Sequence, residues 1–252
     1  MKKLIQRTAI LTLATAFAVT ATGGKASATT WTVTSTADDY ENVAAGTLRY
    51  AIQIAQNGDI IDFDPSLNGQ TIDLSDELPI DSSVTIEGPG PNHLAIRGDG
   101  FVRVFSISAG AQVTISDLTI ENGRGHSRTV DSAPGWGGAI INHGMVTLSN
   151  CAVVSSTTGN GGGIANFGEM SIDNCVVASN HATVDGGGIY NAGAMELTGS
   201  TVSTNLANAY GGGIFNDSTG SLLLKNCNFY GNQSGHGSKD IYNLGTVTRI
   251  KK

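Results

Sequence analysis

The sequence predicts an all-β chain of one kind, a parallel β-helix, and three observations carry that expectation. A Gly-Gly-x-Ile-x-Asn segment returns at a nearly constant period of about 25 residues. Short stretches of alternating apolar and small polar residues return with it. No repeat leaves room for a helix of about ten residues. The segments read GGAIINHG at 137–144, GGGIANFG at 161–168, GGGIYNAG at 186–193 and GGGIFNDS at 211–218, with a decayed copy, DIYNLG, at 240–245. Their asparagines, Asn142, Asn166, Asn191, Asn216 and Asn243, are 24, 25, 25 and 27 residues apart.

From the N-terminus, the first element is a leader. Lys2, Lys3 and Arg7 precede an apolar run from Thr8 to Ala21, and the segment closes on Ala26-Ser27-Ala28. This pattern is that of a secretory signal peptide over 1–28, with the mature chain starting at Thr29. The run is shorter than the roughly 20 residues a spanning helix needs, so no transmembrane span is expected. Without Lys2, Lys3, Arg7 and Lys25 the basic count drops from 14 to 10 against 21 acids, a formal net charge of −11. Such a surface repels phosphate backbones and anionic lipid, which argues against nucleic acid as a partner.

The rest, 29–252, reads as one β-helix domain. Residues 29–63 form its N-terminal cap, in which Leu48, Ala51, Ile52 and Ala55 lie at i, i+3, i+4 and i+7 and predict a short amphipathic helix. Irregular early coils follow over 64–123; strands are expected at 60–63, where the cap ends, and at 70–74, 84–87, 94–97 and 102–107. The insertion NGRGHSRTVDSAPGW then interrupts the pattern, several residues longer than the equivalent TTGN, HATVD and LANAY. Solenoids build binding surfaces where the repeat is broken. Arg124, His126, Arg128, Asp131 and Trp136 are therefore the candidate binding residues, with a plain exposed loop as the alternative.

In the regular coils, 137–245, each strand should lie against its equivalent one period later, about 4.8 Å away. Two inward columns are expected, Ile120, Val153, Val177, Val202, Phe229 and Ile140, Ile164, Ile189, Ile214, Ile241. Asp117, Asn150, Asn174, Gly199 and Asn226 all tolerate left-handed backbone angles and mark a sharp bend. The asparagines of the glycine segments should form an amide ladder along the axis. Three cysteines are too few for a disulfide scaffold, and Cys151, Cys175, Ser200 and Cys227 share a column. They read as free core thiols, with a strained Cys151–Cys175 bridge as the alternative.

The glycine segments, with Phe229-Tyr230-Gly231-Asn232 and its partners Val177 to Asn180 and Val202 to Asn205, resemble the repeats of chlamydial-type polymorphic outer membrane proteins over about 113–245. Residues 46–90, with Gly-Thr-Leu-Arg-Tyr-Ala, Ile-Asp-Phe, Glu-Leu-Pro-Ile and Thr-Ile-Glu-Gly, resemble the opening coils of the pectin-lyase-like superfamily. Together these resemblances imply a right-handed β-helix, the hand also favoured for parallel crossovers. They imply adhesion or surface display, although the C-terminal barrel of the polymorphic proteins is not expected here.

Pectate-lyase chemistry needs carboxylates that hold Ca²⁺ and a base beside them. The best column, Ser116, Ser149, Asp173, Thr198, Lys225, offers one acid and one base two coils apart. Glycoside hydrolysis needs two carboxyls roughly 5 to 10 Å apart. Asp185, Asp217 and Asp240 lie along one side but out of register, and read as solvated turns. The five histidines show no metal-ligand spacing, and Thr147, Ser171, Glu196 and Leu223 break the threonine array that ice binding would need. No catalytic residue, cofactor or metal is therefore expected. The reading is a monomeric, secreted or surface-associated (extracellular or periplasmic) protein that binds a glycan or a cell-surface protein; the alternative is a polysaccharide lyase or glycosidase.

Overall fold

A computed structural model describes residues 27–125 and 135–250. The leader up to residue 26 lies outside the described residues, as do His126, Arg128 and Asp131 of the insertion.

The chain winds as a parallel β-solenoid whose strands collect into four parallel sheets. One regular coil explains the pattern. It starts with Ile164–Asn166 and turns through Phe167 and Gly168 into Glu169–Asp173. It then bends at Asn174 into Val176–Ala178 and closes through the two-residue strand His181–Ala182. The first of these strands belongs to a seven-stranded sheet, here the amide sheet. The second belongs to a nine-stranded long sheet, the third to a seven-stranded rear sheet and the fourth to a four-stranded minor sheet.

The period-2 alternation decides which side chains face inward. Met170 and Ile172 are buried while Glu169 and Asp173 are exposed, and Met195 and Leu197 repeat the arrangement one coil on. Both expected inward columns are in register: Ile120, Val153, Val177, Val202 and Phe229 in the rear sheet, and Ile140, Ile164, Ile189, Ile214 and Ile241 in the amide sheet. Fully burying a side chain of this size contributes about 1.5–3 kcal/mol, and the columns repeat that gain every coil.

The bend between the long and rear sheets needs one left-handed residue per coil. Asp117, Asn150, Asn174, Gly199 and Asn226 supply it, with φ between 51° and 59°. The glycine segments are also geometric in origin. Gly186 has φ of 67°, and a Cβ on Gly187 would sit 2.3 Å from the Gly212 carbonyl of the next coil.

Buried among these turns, the asparagine ladder forms as expected. The side-chain amide of Asn142 donates to Asn166 at 2.8 Å, Asn166 to Asn191 at 2.8 Å, Asn191 to Asn216 at 2.7 Å and Asn216 to Asn243 at 2.7 Å. A second ladder, not anticipated from the sequence, runs through Asn180, Asn205 and Asn232 between the rear and minor sheets, each amide donating to the next at 3.1 Å. The cysteines are free thiols, Cys151 and Cys175 buried in the core column with Ser200. The Cys151 hydrogen bond and burial push the Cys175 thiol up.

At the N-terminal end, Thr30–Val33 adds a strand to the long sheet, and the helix Leu48–Ile54 buries Leu48, Ala51 and Ile52 against the first coil. Thr47 caps it, accepting the Tyr50 N–H. The early strands lie at or near their expected positions, with two differences. The stretch 102–107 is a strand only over Phe105–Ile107. An unexpected strand, Leu78–Ile80, forms despite Pro79, because it is the edge of its sheet and Pro79 faces outward.

Candidate ligand-binding face

The register turns the outside of the amide sheet into a grid of three columns. The strand-centre positions point outward and carry Ile141, Ala165, Tyr190, Phe215 and Tyr242. On the leading bend stand Trp136, Asn160, Asp185 and Tyr210, tied coil to coil. Trp136 bridges Asn160, the Asn160 Oδ1 accepts the Asp185 N–H at 3.2 Å, and the Asp185 Oδ1 accepts the Tyr210 N–H at 3.0 Å. On the trailing bend, directly after each ladder asparagine, stand His143, Phe167, Ala192, Asp217 and Leu244.

The large members of this grid touch. His143 stacks on Phe167 with centroids 5.1 Å apart, Tyr190 on Phe215 at 5.2 Å and Phe215 on Tyr242 at 5.6 Å. Trp136 meets Phe167 and Tyr190 edge-on, at 5.2 and 4.6 Å, so its indole reaches across the coil of the fully buried Ala165. Tyr210 completes the strip against Tyr242 at 4.5 Å and His236 at 5.6 Å. Such pairs each contribute about 0.5–1.5 kcal/mol beyond area burial, so the strip holds itself rigid. Tyr210 stays exposed, Trp136, Phe167 and Tyr242 are half-buried, and the central Tyr190 and Phe215 are buried beneath their neighbours.

Two carboxyl groups lie against the strip from opposite bends of adjacent coils. Burial and the charge and hydrogen bond of Asp217, with Asp185 behind it, push the Tyr190 hydroxyl up to about 12. Burial also raises the Asp185 carboxyl, opposed by the Tyr210 N–H. Neither carboxylate has a cationic partner among the described residues. At the strip's other end, burial and then the Arg103 charge lower His143. This keeps its imidazole neutral at pH 7.

Arg103 also fixes the insertion. It is fully buried, its Nη1 donates to Glu77 at 2.6 Å, and its remaining donors reach the carbonyls of Gly125 (3.2 Å), Trp136 (2.9 Å) and Gly137 (3.0 Å). One guanidinium therefore grips the chain on both sides of the insertion, a use of its planar fork that lysine could not copy. Of the expected loop residues, Trp136 joins the strip, while Arg124 is exposed at the insertion's foot with its N–H donated to the Val102 carbonyl. Asp185, Asp217 and Arg103 were not among the expected site residues.

The other surfaces carry less chemistry. An open trough of about 560 Å³ on the long sheet is lined by uncharged residues such as Ser83, Thr85, Gln112, Thr114 and Thr147. In the column Ser116, Ser149, Asp173, Thr198, Lys225 the lysine pairs with Glu196 at 2.7 Å instead of with Asp173. Among the described residues no group of three acids, histidines or cysteines is placed to hold a metal ion, and no helix is long and apolar enough to cross a membrane.

Fold and site together define a class: a parallel β-solenoid that presents an aromatic strip flanked by carboxylates on one face. No protein-family model, curated protein or solved structure matches the chain significantly.

Proposed function

We propose that this chain is a secreted or surface-associated, non-catalytic β-helix protein that binds a glycan along the outer face of the amide sheet. The observation that carries the reading is the continuous strip from His143 and Phe167 through Trp136, Tyr190, Phe215 and Tyr242 to Tyr210. Sugar rings present C–H faces that pack on aromatic groups, and a few fixed polar groups then orient them. Here Asp185, Asp217 and the Tyr190 hydroxyl are those groups. The grid repeats once per coil, about every 4.8 Å, which suits an extended polymer of ring-sized units lying along the axis. The signal-peptide pattern of the N-terminus supports an extracellular or periplasmic setting. The likeness of the repeats to polymorphic outer membrane proteins, and of the cap to the pectin-lyase-like superfamily, supports a right-handed surface β-helix.

The test is a glycan array followed by calorimetry on the hits. Tyr210→Ala, at an exposed ring, should weaken binding about tenfold, or about 1.4 kcal/mol. Full affinity in both Tyr210→Ala and Trp136→Ala would remove the strip from the binding site.

A second reading, a glycosidase, has one observation in its favour: Asp185 and Asp217 both act on the Tyr190 hydroxyl, and the Asp185 carboxyl is raised, as a general acid's is. Release of reducing ends from a bound glycan, abolished by Asp185→Asn and by Asp217→Asn, would establish it. Intact glycan after prolonged incubation would leave the binding reading in place.

A further inference from the structure

The charge on the aromatic face narrows the chemistry of its ligand, an inference that rests on the glycan-binding reading above. The carboxylates of Asp185 and Asp217 lie on the leading and trailing bends, one coil apart, on either side of Tyr190 and Phe215. Asp240, one coil further on, does not join them, because its Oδ1 is taken by the buried Asn232 at 2.9 Å. Between the coils of Trp136 and Phe215 the three outward columns hold no lysine or arginine among the described residues; Arg128 of the insertion lies outside them, and the next cation after Phe215, Lys225, is on the long sheet and paired with Glu196. The chain as a whole carries a formal net charge of −7. A polymer of uronic acids laid on this strip would place carboxylate beside carboxylate, with like-charge repulsion at each step.

We infer that the ligand is an amino-sugar polymer carrying free, protonated amino groups, whose rings lie on the exposed Tyr210 and the half-buried Trp136 and Tyr242, and whose ammonium groups meet Asp185 and Asp217. An ammonium on a carboxylate makes the stronger, charge-assisted kind of hydrogen bond. The same ammonium is attracted to the exposed ring of Tyr210, whose backbone N–H is bonded to Asp185. The strip thus selects charge and ring together, and a basic peptide offers only the first.

Calorimetric titration of the whole mature protein tests this with four probes: glucosamine oligomers, their fully N-acetylated counterparts, oligogalacturonate and oligolysine. Glucosamine oligomers should bind at least tenfold more tightly than the acetylated ones at low salt, and oligogalacturonate and oligolysine should bind weakly or not at all. The double variant Asp185→Asn/Asp217→Asn should erase the tenfold preference while leaving the urea midpoint near that of the parent, because the amide oxygen introduced at position 185 still accepts the Tyr210 N–H. Asp217→Asn alone covers the case in which the double variant fails to fold, and should lose about half the preference on a logarithmic scale. Equal affinity for acetylated and free oligomers overturns the inference and leaves the glycan reading standing. Oligolysine binding as tightly as glucosamine overturns it in favour of a basic peptide. No binding by any of the three sugars overturns both.

Discussion

Between residues 27 and 125 the polar side chains buried against the core are mostly charged: Arg49, Asp59, Asp76, Glu77 and Arg103, with Thr47. Between 135 and 250 every one is neutral: Asn142, Asn166, Asn191 and Asn216, Asn180, Asn205 and Asn232, and four hydroxyls at Ser156, Thr158, Ser200 and Ser203. The difference follows from what each group can pair with. An amide both donates and accepts, so it can bond its own copy in the next coil indefinitely. A guanidinium or carboxylate repels its own copy and needs a different partner, which only an irregular region offers. Arg49 accordingly takes Asp38 at 2.7 Å and the carbonyls of Asp76 and Glu77, and Arg103 takes Glu77 and the feet of the insertion. Repetition favours amides, and irregularity permits charges.

The largest effect that could break this comparison comes from Arg103→Met. It leaves the Glu77 carboxyl buried without its cation and three carbonyls without a donor, and should cost about 3–5 kcal/mol in urea unfolding. The double variant Glu77→Gln/Arg103→Met should cost clearly less than the two single changes added together. Additive losses would show that the pair is not coupled.

Next comes the amide ladder. Asn191→Ala removes one rung in the middle, leaves Asn216 Oδ1 unpaired in the core, and should cost about 2–3 kcal/mol. Asn243→Ala, at the exposed end of the same ladder, should cost less than about 1 kcal/mol by the same measurement. Equal losses at both positions would mean that burial does not set the value of a rung.

A smaller effect separates the cap by its response to acid. Asp59 accepts the N–H groups of Gln56 and Thr29 and the Trp31 indole, and these bonds hold its carboxyl below the ordinary value of 3.8. Its contribution is therefore complete above that value and is lost as pH falls through the lower folded-state value. Trp31 emission should report loosening of the cap below about pH 4, and Asp59→Asn should remove that component of the acid response. An identical acid profile in the variant would assign the loosening elsewhere.

The smallest effect belongs to the half-buried surface pair Lys225–Glu196 on the regular coils. Lys225→Ala should change stability by less than about 1 kcal/mol, and the difference should vanish in high salt. A larger, salt-resistant loss would show that the regular coils also depend on charge.

What can be read in the sequence divides along the same line. The inward columns, the bend at Asn150 and Asn174, and the first amide ladder are visible because a repeat displays each role several times. Arg103 and Arg49 occur once each in their roles, and no period marks them as buried. The second ladder is hidden because Asn180, Asn205 and Asn232 stand at the ends of recognisable segments, where an asparagine also suits a turn. Of the candidate site, only Trp136 stands out in the sequence. The strip lies in the variable position of Gly-Gly-x-Ile-x-Asn, where isoleucine and alanine give way to Tyr190, Phe215 and Tyr242; that change is its available signal. Asp185 and Asp217 are visible along one side but read as solvated turns, because a comparison within single columns cannot pair two acids that straddle a strand from two bends.

The amide ladder also fixes how a solenoid of this kind can change its length. Each rung asks only for another asparagine one coil away, and coils of 24, 25 and 27 residues all supply it. Slack in the outer turns is invisible to the axis. Whole coils can be duplicated or deleted between Asn142 and Asn216 without presenting any surviving amide with an unfamiliar neighbour, whereas a fraction of a coil strands one. The molecule's length is thus counted in integers, and its binding face lengthens or shortens by one row of the grid at a time.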